Sequence, residues 1–541
     1  MAFNATAKSS EYHYLVEFLL DSTTLRFADS DISIQHSNTT GYFYEGRLPE
    51  SGTLSRSLSS FIEPKETLQS FDVKLDNTDE KIQEYIDSFT FANRNVNIWL
   101  GEGESKNDYS IVFPGFVAHP AGVEWDEDSA KITVIDRRLK DRRILPEKDF
   151  TALDFPNLQR NASGLSIPII YGDYSSAAAN AISVQAYCIS TTAANARFKV
   201  AGHRINSLDR VLQNGLVTAY QNVSLEDATF ELVGSYNFTN DLITANVKGY
   251  ETSNGTLIET PQDVLKNVLT VDLSVDVENL NLTAFDLLDS SVTEPVRRVI
   301  NVDTTSEVLI SELINESAIE LRFVDGKYSP VFRLITDKSS SFDVYDSDIV
   351  LEDVDRDKAD IVFRRDTQRT FTNKIRASYN FDPVFGTYLG DYEKTVTAST
   401  EEVSSTIERP MTFNWLYEKD TVEARVQREL IQYSNEPTEV EVTISHKGLQ
   451  KNLADVFSLN YNIFDDIPFQ IRGMETDLSS MTTRIYGFGL AELKVGLWTD
   501  DTVPSYVSAS DAEIASSGWW STDLGYIVSG NSTTLNQSLW F

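Results

Sequence analysis

Polar and apolar residues alternate from residue 12 onward, interrupted by short polar turns. In YLVEFLL, Tyr14, Val16, Phe18 and Leu20 share one face, DSTT supplies a turn and LRF starts a return strand, so a β-hairpin is expected. FDVKL repeats the period, with Phe71, Val73 and Leu75 on one side and Asp72 and Lys74 on the other; NVNIWLG and KITVID follow in kind. Residues 12–140 therefore read as a mainly β domain with one short helix inside it. That helix follows FDVKL. Asn77 stands three residues before Glu80, the spacing of a capping box, and Ile82, Tyr85, Ile86 and Phe89 recur as one apolar stripe. Asp79 and Glu80 fall in the first turn, where the helix dipole favours negative charge.

Between about 141 and 170 the chain turns rich in Pro, Gly and Asn, which marks a domain edge. Strands return over 171–250, with one apolar patch at SLDRVLQNG. At Thr260 a helix start is expected, with Pro261 at the first helical position, Asp263 three residues after the cap, and Val264, Leu265, Val268 and Leu269 as the apolar face. A second helix is expected from Thr304, boxed by Glu307 and seated by Leu309, Ile310, Leu313 and Ile314; an Asp-Gly turn then joins two strands. A third helix over 421–434 carries Val422, Val426, Leu430 and Tyr433 on one side, and VEVTIS opens a last set of strands ending near 490. The predicted fold class is mainly β, multidomain α+β. The predicted divisions are 1–155 and 156–255 (both β), 256–365 (α+β), 366–490 (β), and a terminal module 491–541 that holds Trp498, Trp519, Trp520 and Trp540.

Bulk properties narrow the functions. A chain of 541 residues exceeds what one core supports. Its 46 Lys and Arg against 82 Asp and Glu give a formal charge of −36, which opposes sequence-reading of nucleic acid and docking on anionic lipid. The single cysteine, Cys188, allows neither an internal disulfide nor a Cys-based zinc site. The N-terminus lacks the basic region of a secretory signal, and no run of about 18 apolar residues predicts a membrane span.

Every candidate for chemistry has a plainer explanation. The acids Asp76, Asp79 and Glu80 lack the glycine and the closing glutamate of a calcium loop; Asp353, Asp355 and Asp357 alternate as such a loop begins, but the glycine is again missing and Arg356 and Lys358 intervene. His13, His36, His119, His203 and His446 form no paired-ligand spacing, and nothing around Cys188 and His203 resembles a nucleophile motif. GEGES at 101–105 follows a strand without a helix behind it, so it reads as a hairpin loop rather than a phosphate cradle. No catalytic, metal-binding or cofactor-binding residue is expected, although 82 acids leave a glycosidase pair open.

Taken in order, several blocks resemble the central tail-hub (baseplate hub) proteins of long-tailed bacteriophages and gene transfer agents. LVEFLLDSTTLRFADSDISI, FDVKLDNTDEKI, NVNIWLG and VFPGFVAH are similar to the first hub domain, and SIPIIYGDY, HRINSLDRVLQNG and LITANVKGY to the middle section. TPQDVLKNVL, LISELINESAIELRFVDGKYSP and NKIRASYNF resemble the next blocks, KNLADVFSLNYNIFDDIPFQIRGMETD the closing strands, and SGWWSTDLGYIVSG with SLWF the C-termini of siphophage tail proteins. One departure is Ala454, where hub-like sequences usually place Gly in an L-G-D-V turn. The resemblance implies a homotrimer in which two tail-tube-like β-barrel domains per chain make a pseudo-sixfold ring, with residues 12–140 and 366–490 as the candidate barrels and peripheral domains between them. It implies a place in the virion at the tail tip after assembly in the host cytoplasm, channel closure before ejection, and as partners a distal tail protein, a tape measure protein and tip fibre proteins. Genomic DNA would pass the channel without specific binding, helped by an acidic wall. The alternative is a secreted β-rich glycan-active enzyme or a receptor-binding adhesin.

Overall fold

The computed structural model describes residues 12–489 except 38–39, 50–51, 58–69, 121, 179, 191–195, 235, 238–239, 289–291, 333–339, 354–357, 366–370, 435–437, 450, 462–463 and 479, together with the backbone of 519–521 and 527–529. It is mainly β and divides among several hydrophobic cores.

The first core is built by β1 (Tyr12–Leu19), β2 (Thr24–Ala28), β3 (Ile32–Ser37), β4 (Thr40–Gly46), β6 (Ser70–Asp76), β7 (Asn95–Glu102), β8 (Tyr109–Val117), β9 (Val123–Trp125) and β10 (Ser129–Asp136). Their order across the sheet is β3-β4-β2-β1-β7-β8-β10-β6, with β9 on β10. The sheet curls, and Asp76 N donates to Arg47 O at 2.8 Å, bringing β6 back beside the end of β4. Tyr14, Val16, Phe18, Leu20, Phe71, Val73 and Leu75 all point into this core, as the period-two pattern requires. Helix α1 (Lys81–Ser88) sets Ile82 into it, with Tyr85, Ile86 and Phe89 packed behind.

What alternation alone did not predict is that β1 is buried on its second face as well. The β3–β4 hairpin folds over it, Gln35 N reaches Glu104 O at 2.7 Å, and Leu15, Ala28, Ile34, Tyr44 and Tyr109 make a small core of their own.

Residues 184–248 form two four-stranded sheets facing one core, with Val211 and Ala245 from one sheet and Phe198 and Phe230 from the other. SLDRVLQNG is a strand, Ser207–Gln213, whose Asn214 (φ 52) and Gly215 (φ 81) make the tight turn back to Leu216–Thr218.

The largest core gathers α2 (Pro261–Asn267), α3 (Leu282–Leu288), α4 (Ser306–Glu316) and the hairpin Ile319–Val324/Lys327–Phe332, whose turn is Asp325 (φ 51) and Gly326 (φ 74). Pro261 opens α2 as expected; the Thr260 hydroxyl donates to Asp263 at 2.7 Å, and a π-turn over Val268–Asp272 carries the helix on. The α4 cap is Thr305 rather than Thr304, because Thr304–Thr305 first pairs with Ile144–Leu145; Thr305 Oγ1 accepts from Val308 N at 3.4 Å. Glu307 closes no box and instead meets Arg142 at 2.6 Å. This core also takes Ile375, Phe413 and Trp415, and Val422, Val426 and Leu430 from the helix Lys419–Tyr433. Residues 366–490 are thus divided among three cores. Side-chain period cannot reveal such a partition, because it reports that a face is buried but not against what.

A further, seven-stranded sheet has the order Phe342–Tyr345, Val456–Tyr461, Phe464–Asp477, Thr482–Gly489, Thr438–Ile444, Ile361–Arg365. After Tyr345 the chain crosses to the far side of this sheet, where Ile349 bridges Ile444, and Val344, Phe457, Phe469 and Ile485 share its core. Its seventh strand is β5 (Thr53–Ser57), lent by the N-terminal region, with Thr53 opposite Asp477 and Ser57 opposite Gly473. Leu449 and Leu478 return the exchange by packing into the first core.

Candidate functional site: two coupled β modules

The acidic run 76–80 is a helix entry. The expected capping box is not formed: Glu80 is exposed, sits at φ 61 as the N-cap residue and makes no side-chain cap bond. Asn77 caps from further back. It is fully buried, its Oδ1 accepts from Gln83 N at 3.1 Å, and its Nδ2 donates to Asp126 O at 2.9 Å. Asp79 pairs with Arg47 at 2.6 Å, which holds its carboxyl down at about 2. The reason for the shift is chain geometry. The left-handed residue at 80 turns the backbone so that Asn77, rather than Glu80, lies over the free N–H groups.

The histidines are dispersed among structural contacts: His13 meets Asp29 at 2.9 Å and His36 meets Tyr44 Oη at 3.0 Å. His203 accepts from Ile170 N at 2.9 Å and stacks on Tyr250, and burial pushes it down to about 4. Cys188 is buried, its thiol pushed up to about 11, with Ser190 O as its partner. Neither residue's partners include the other. Among the described residues no group of three His, Cys, Asp or Glu is placed to hold a metal ion. Asp355, Asp357, the His446 side chain, Trp498 and Trp540 lie outside the described residues, as do the side chains of Trp519 and Trp520. No helix among the described residues is long and apolar enough to cross a membrane.

GEGES ends β7 and opens the β7–β8 connection, which delivers an unforeseen residue, Lys106. From this loop Lys106 reaches back over the Trp99 ring, 3.7 Å from its centre, to Glu17 at 3.2 Å. Glu17 also accepts from Tyr44 Oη at 2.5 Å and Trp99 Nε1 at 2.8 Å. Burial by itself would raise the Glu17 carboxyl; the Lys106 charge and these donated bonds more than reverse that, and it lies below the usual range. Desolvation brings Lys106 down to about 8. One charged residue inside an apolar strand, the Glu in YLVEFLL, was the available signal in the sequence. The network pins the β3–β4 hairpin and the loop before Lys106 onto the first sheet.

The two β modules are joined by the β5 splice. Five backbone pairs tie residues 53–57 to 473–477, and Arg56 adds hydrogen bonds to Asn452 Oδ1 at 3.3 Å and Phe323 O at 3.4 Å. A strand shared this way must be stripped from its neighbour before the modules can separate.

No family model and no curated protein matches the sequence. Among solved structures, the chain is similar to a tail protein from Neisseria meningitidis MC58, at 8% identity and a TM-score of 0.39, over 88% of this chain and 96% of that one. A 43 kDa tail protein of prophage MuSo2 from Shewanella oneidensis aligns at 10% identity and a TM-score of 0.38, over 88% and 98%. A chain in the virion of a native gene transfer agent aligns at 10% and 0.39, over 66% and 92%. At these scores the likeness concerns the course of the chain and decides nothing about function.

Proposed function

We propose that the chain is a structural subunit of a phage-like tail tip: a hub that assembles as a homotrimer, presents two tube-like β modules per chain as a pseudo-sixfold ring, and closes or gates a channel. The observation that carries this reading is the β5 splice, which ties two large β sheets of one chain together. Three such units would supply six modules around an axis, the geometry needed to adapt a sixfold tube to a threefold tip. The ordered resemblance to hub sequences supports the same role, and the modules' interiors are filled by core packing. Distal tail, tape measure and tip fibre proteins would be its neighbours in the virion. DNA would slide past a wall that the formal charge of −36 makes poor at holding phosphate. The divisions at 155, 255, 365 and 490 serve as a working map, with 374–433 assigned to the largest core.

Mass photometry of the purified chain, followed by class averages of the particles, tests this. A three-chain species with six modules around a central opening is expected. A monomer that binds none of the tail proteins encoded with it would overturn the reading, and carboxylate-dependent cleavage of a glycan would favour the enzyme alternative.

A further inference from the structure

Strand β10 runs through the first module with opposite charges at its two ends. The chain enters it through the acidic loop Glu124, Asp126, Glu127 and Asp128, in a stretch where every residue from 124 to 129 is exposed. It leaves through Arg137, Arg138, Lys140, Arg142 and Arg143, five cations in seven positions of a chain that has 46 in 541. At about 3.3 Å per residue, the eight residues of β10 hold the two ends about 25 Å apart.

Neighbouring segments reinforce each end. At the acidic end the Asp126 carboxylate accepts from the backbone N–H of Asp128 at 3.0 Å and of Ser129 at 2.7 Å, which fixes the turn that carries Glu127 and Asp128. At the basic end Lys140 lies over the Phe116 ring, 4.6 Å from its centre, and donates to Asn93 O at 2.8 Å and Asn95 Oδ1 at 3.0 Å. Burial, and then the nearby charges of Arg137 and Arg94, hold the Lys140 ammonium below its usual range. Arg138, Arg142 and Arg143 are paired with Asp136, Glu307 and Glu147, whereas Arg137 and Lys140 have no ion-pair partner among the described residues. Each end also exposes an apolar side chain. Trp125 is 47% exposed beside the acids, and Leu19, which stands opposite Asn95 in the sheet, is 40% exposed beside the cations.

We propose that the two ends dock on each other between copies of the chain, Glu127 and Asp128 of one copy meeting Arg137 and Lys140 of the next while Trp125 covers Leu19. Charge complementarity selects a second copy: it brings its own acidic end, whereas a formal charge of −36 repels a polyanion such as DNA. An aromatic anchor rimmed by charge pairs suits a specific protein contact, and the Trp125 ring can also face the cations. Because the two surfaces differ, the contact is head-to-tail, and a threefold rotation between copies closes it into a ring. The contact goes beyond the hub reading and stands without it.

The test uses the full chain and two double variants, Arg137→Glu with Lys140→Glu, which makes both ends acidic, and Glu127→Lys with Asp128→Lys, which makes both basic. Sedimentation velocity reads assembly of each alone and of an equal mixture. Association of each variant alone is expected to weaken about tenfold or more, and mixing the two is expected to restore it, because acidic ends then meet basic ones. Restoration also shows that both variants are folded. Weakening in only one variant, or weakening that mixing does not restore, would place the partner surface elsewhere and overturn the proposal. A parent that assembles while both variants assemble equally well would overturn this contact and leave the hub reading standing; a parent that stays monomeric would overturn both. Duplex DNA retained by the parent and lost by Arg137→Glu with Lys140→Glu, with assembly unchanged, would overturn it in favour of nucleic acid.

Discussion

Replacing Asn77 by alanine should open helix α1 selectively. The side chain is fully buried and makes two hydrogen bonds, from Gln83 N at 3.1 Å and to Asp126 O at 2.9 Å. Alanine abolishes both and strands a helix N–H and a loop carbonyl, at about 1–3 kcal/mol for each group left unsatisfied. Water reaches the exposed Gln83 position, so the lower end applies there and a total of about 2–3 kcal/mol follows. Hydrogen exchange followed by mass spectrometry on the full chain reads this locally, without requiring two-state unfolding of a multicore protein. Amides of Lys81–Ser88 should exchange about 30- to 140-fold faster, since each 1.4 kcal/mol is tenfold. Glu80→Ala is the decisive companion. A capping box would make it cost about 0.5–2 kcal/mol, whereas an exposed side chain with no cap bond predicts almost no change. Equal acceleration in the two variants would refute the account of how this helix starts.

Further expectations follow from the same structure. Glu80→Gly should slow α1 exchange by relieving the residue at φ 61, a gain of about 0.5–1 kcal/mol. Glu17→Ala should cost about 3–5 kcal/mol by leaving Lys106 buried without its counter-charge, and limited proteolysis should then cut the β3–β4 hairpin and the 101–105 loop first. Ala454 lies at φ 64, where glycine carries no strain, so Ala454→Gly should stabilise by up to about 1 kcal/mol; a loss in urea unfolding would show that its methyl packing outweighs the strain. Burial pushes the Asp272 carboxyl up to about 6, while it accepts from Tyr171 Oη at 2.6 Å. The native state therefore keeps a proton that the unfolded chain releases near pH 4, and stability from this group is greatest below that pH and is lost as pH rises through about 6. Asp272→Asn should remove the dependence, so that its stability advantage over the parent grows between pH 4 and 6 and then levels; an advantage that is flat with pH would contradict the raised carboxyl.

Several elements were legible because their information is local. Phe71, Val73 and Leu75 point inward, Pro261 opens its helix, the Asp325-Gly326 turn closes its hairpin, and Val422, Val426, Leu430 and Tyr433 form a buried stripe. The start of α1 was mislocated by the spacing rule, since a capping box and a left-handed entry use the same polar residues. Lys106 could not have been paired with Glu17 from the sequence, because 89 positions separate them and only the folding of one loop over β1 joins them.

By itself the sequence determined the strand and helix stripes, the turns, the charge balance, the lack of cysteine-built sites and the ordered resemblance to hub proteins. These depend on residue type and short spacing. The tertiary structure alone decided that β5 belongs to the second sheet, that residues 374–433 join the largest core, and that β1 is buried on both faces. Each is a choice of partner among surfaces that look alike in sequence, and only the three-dimensional packing of distant segments makes that choice.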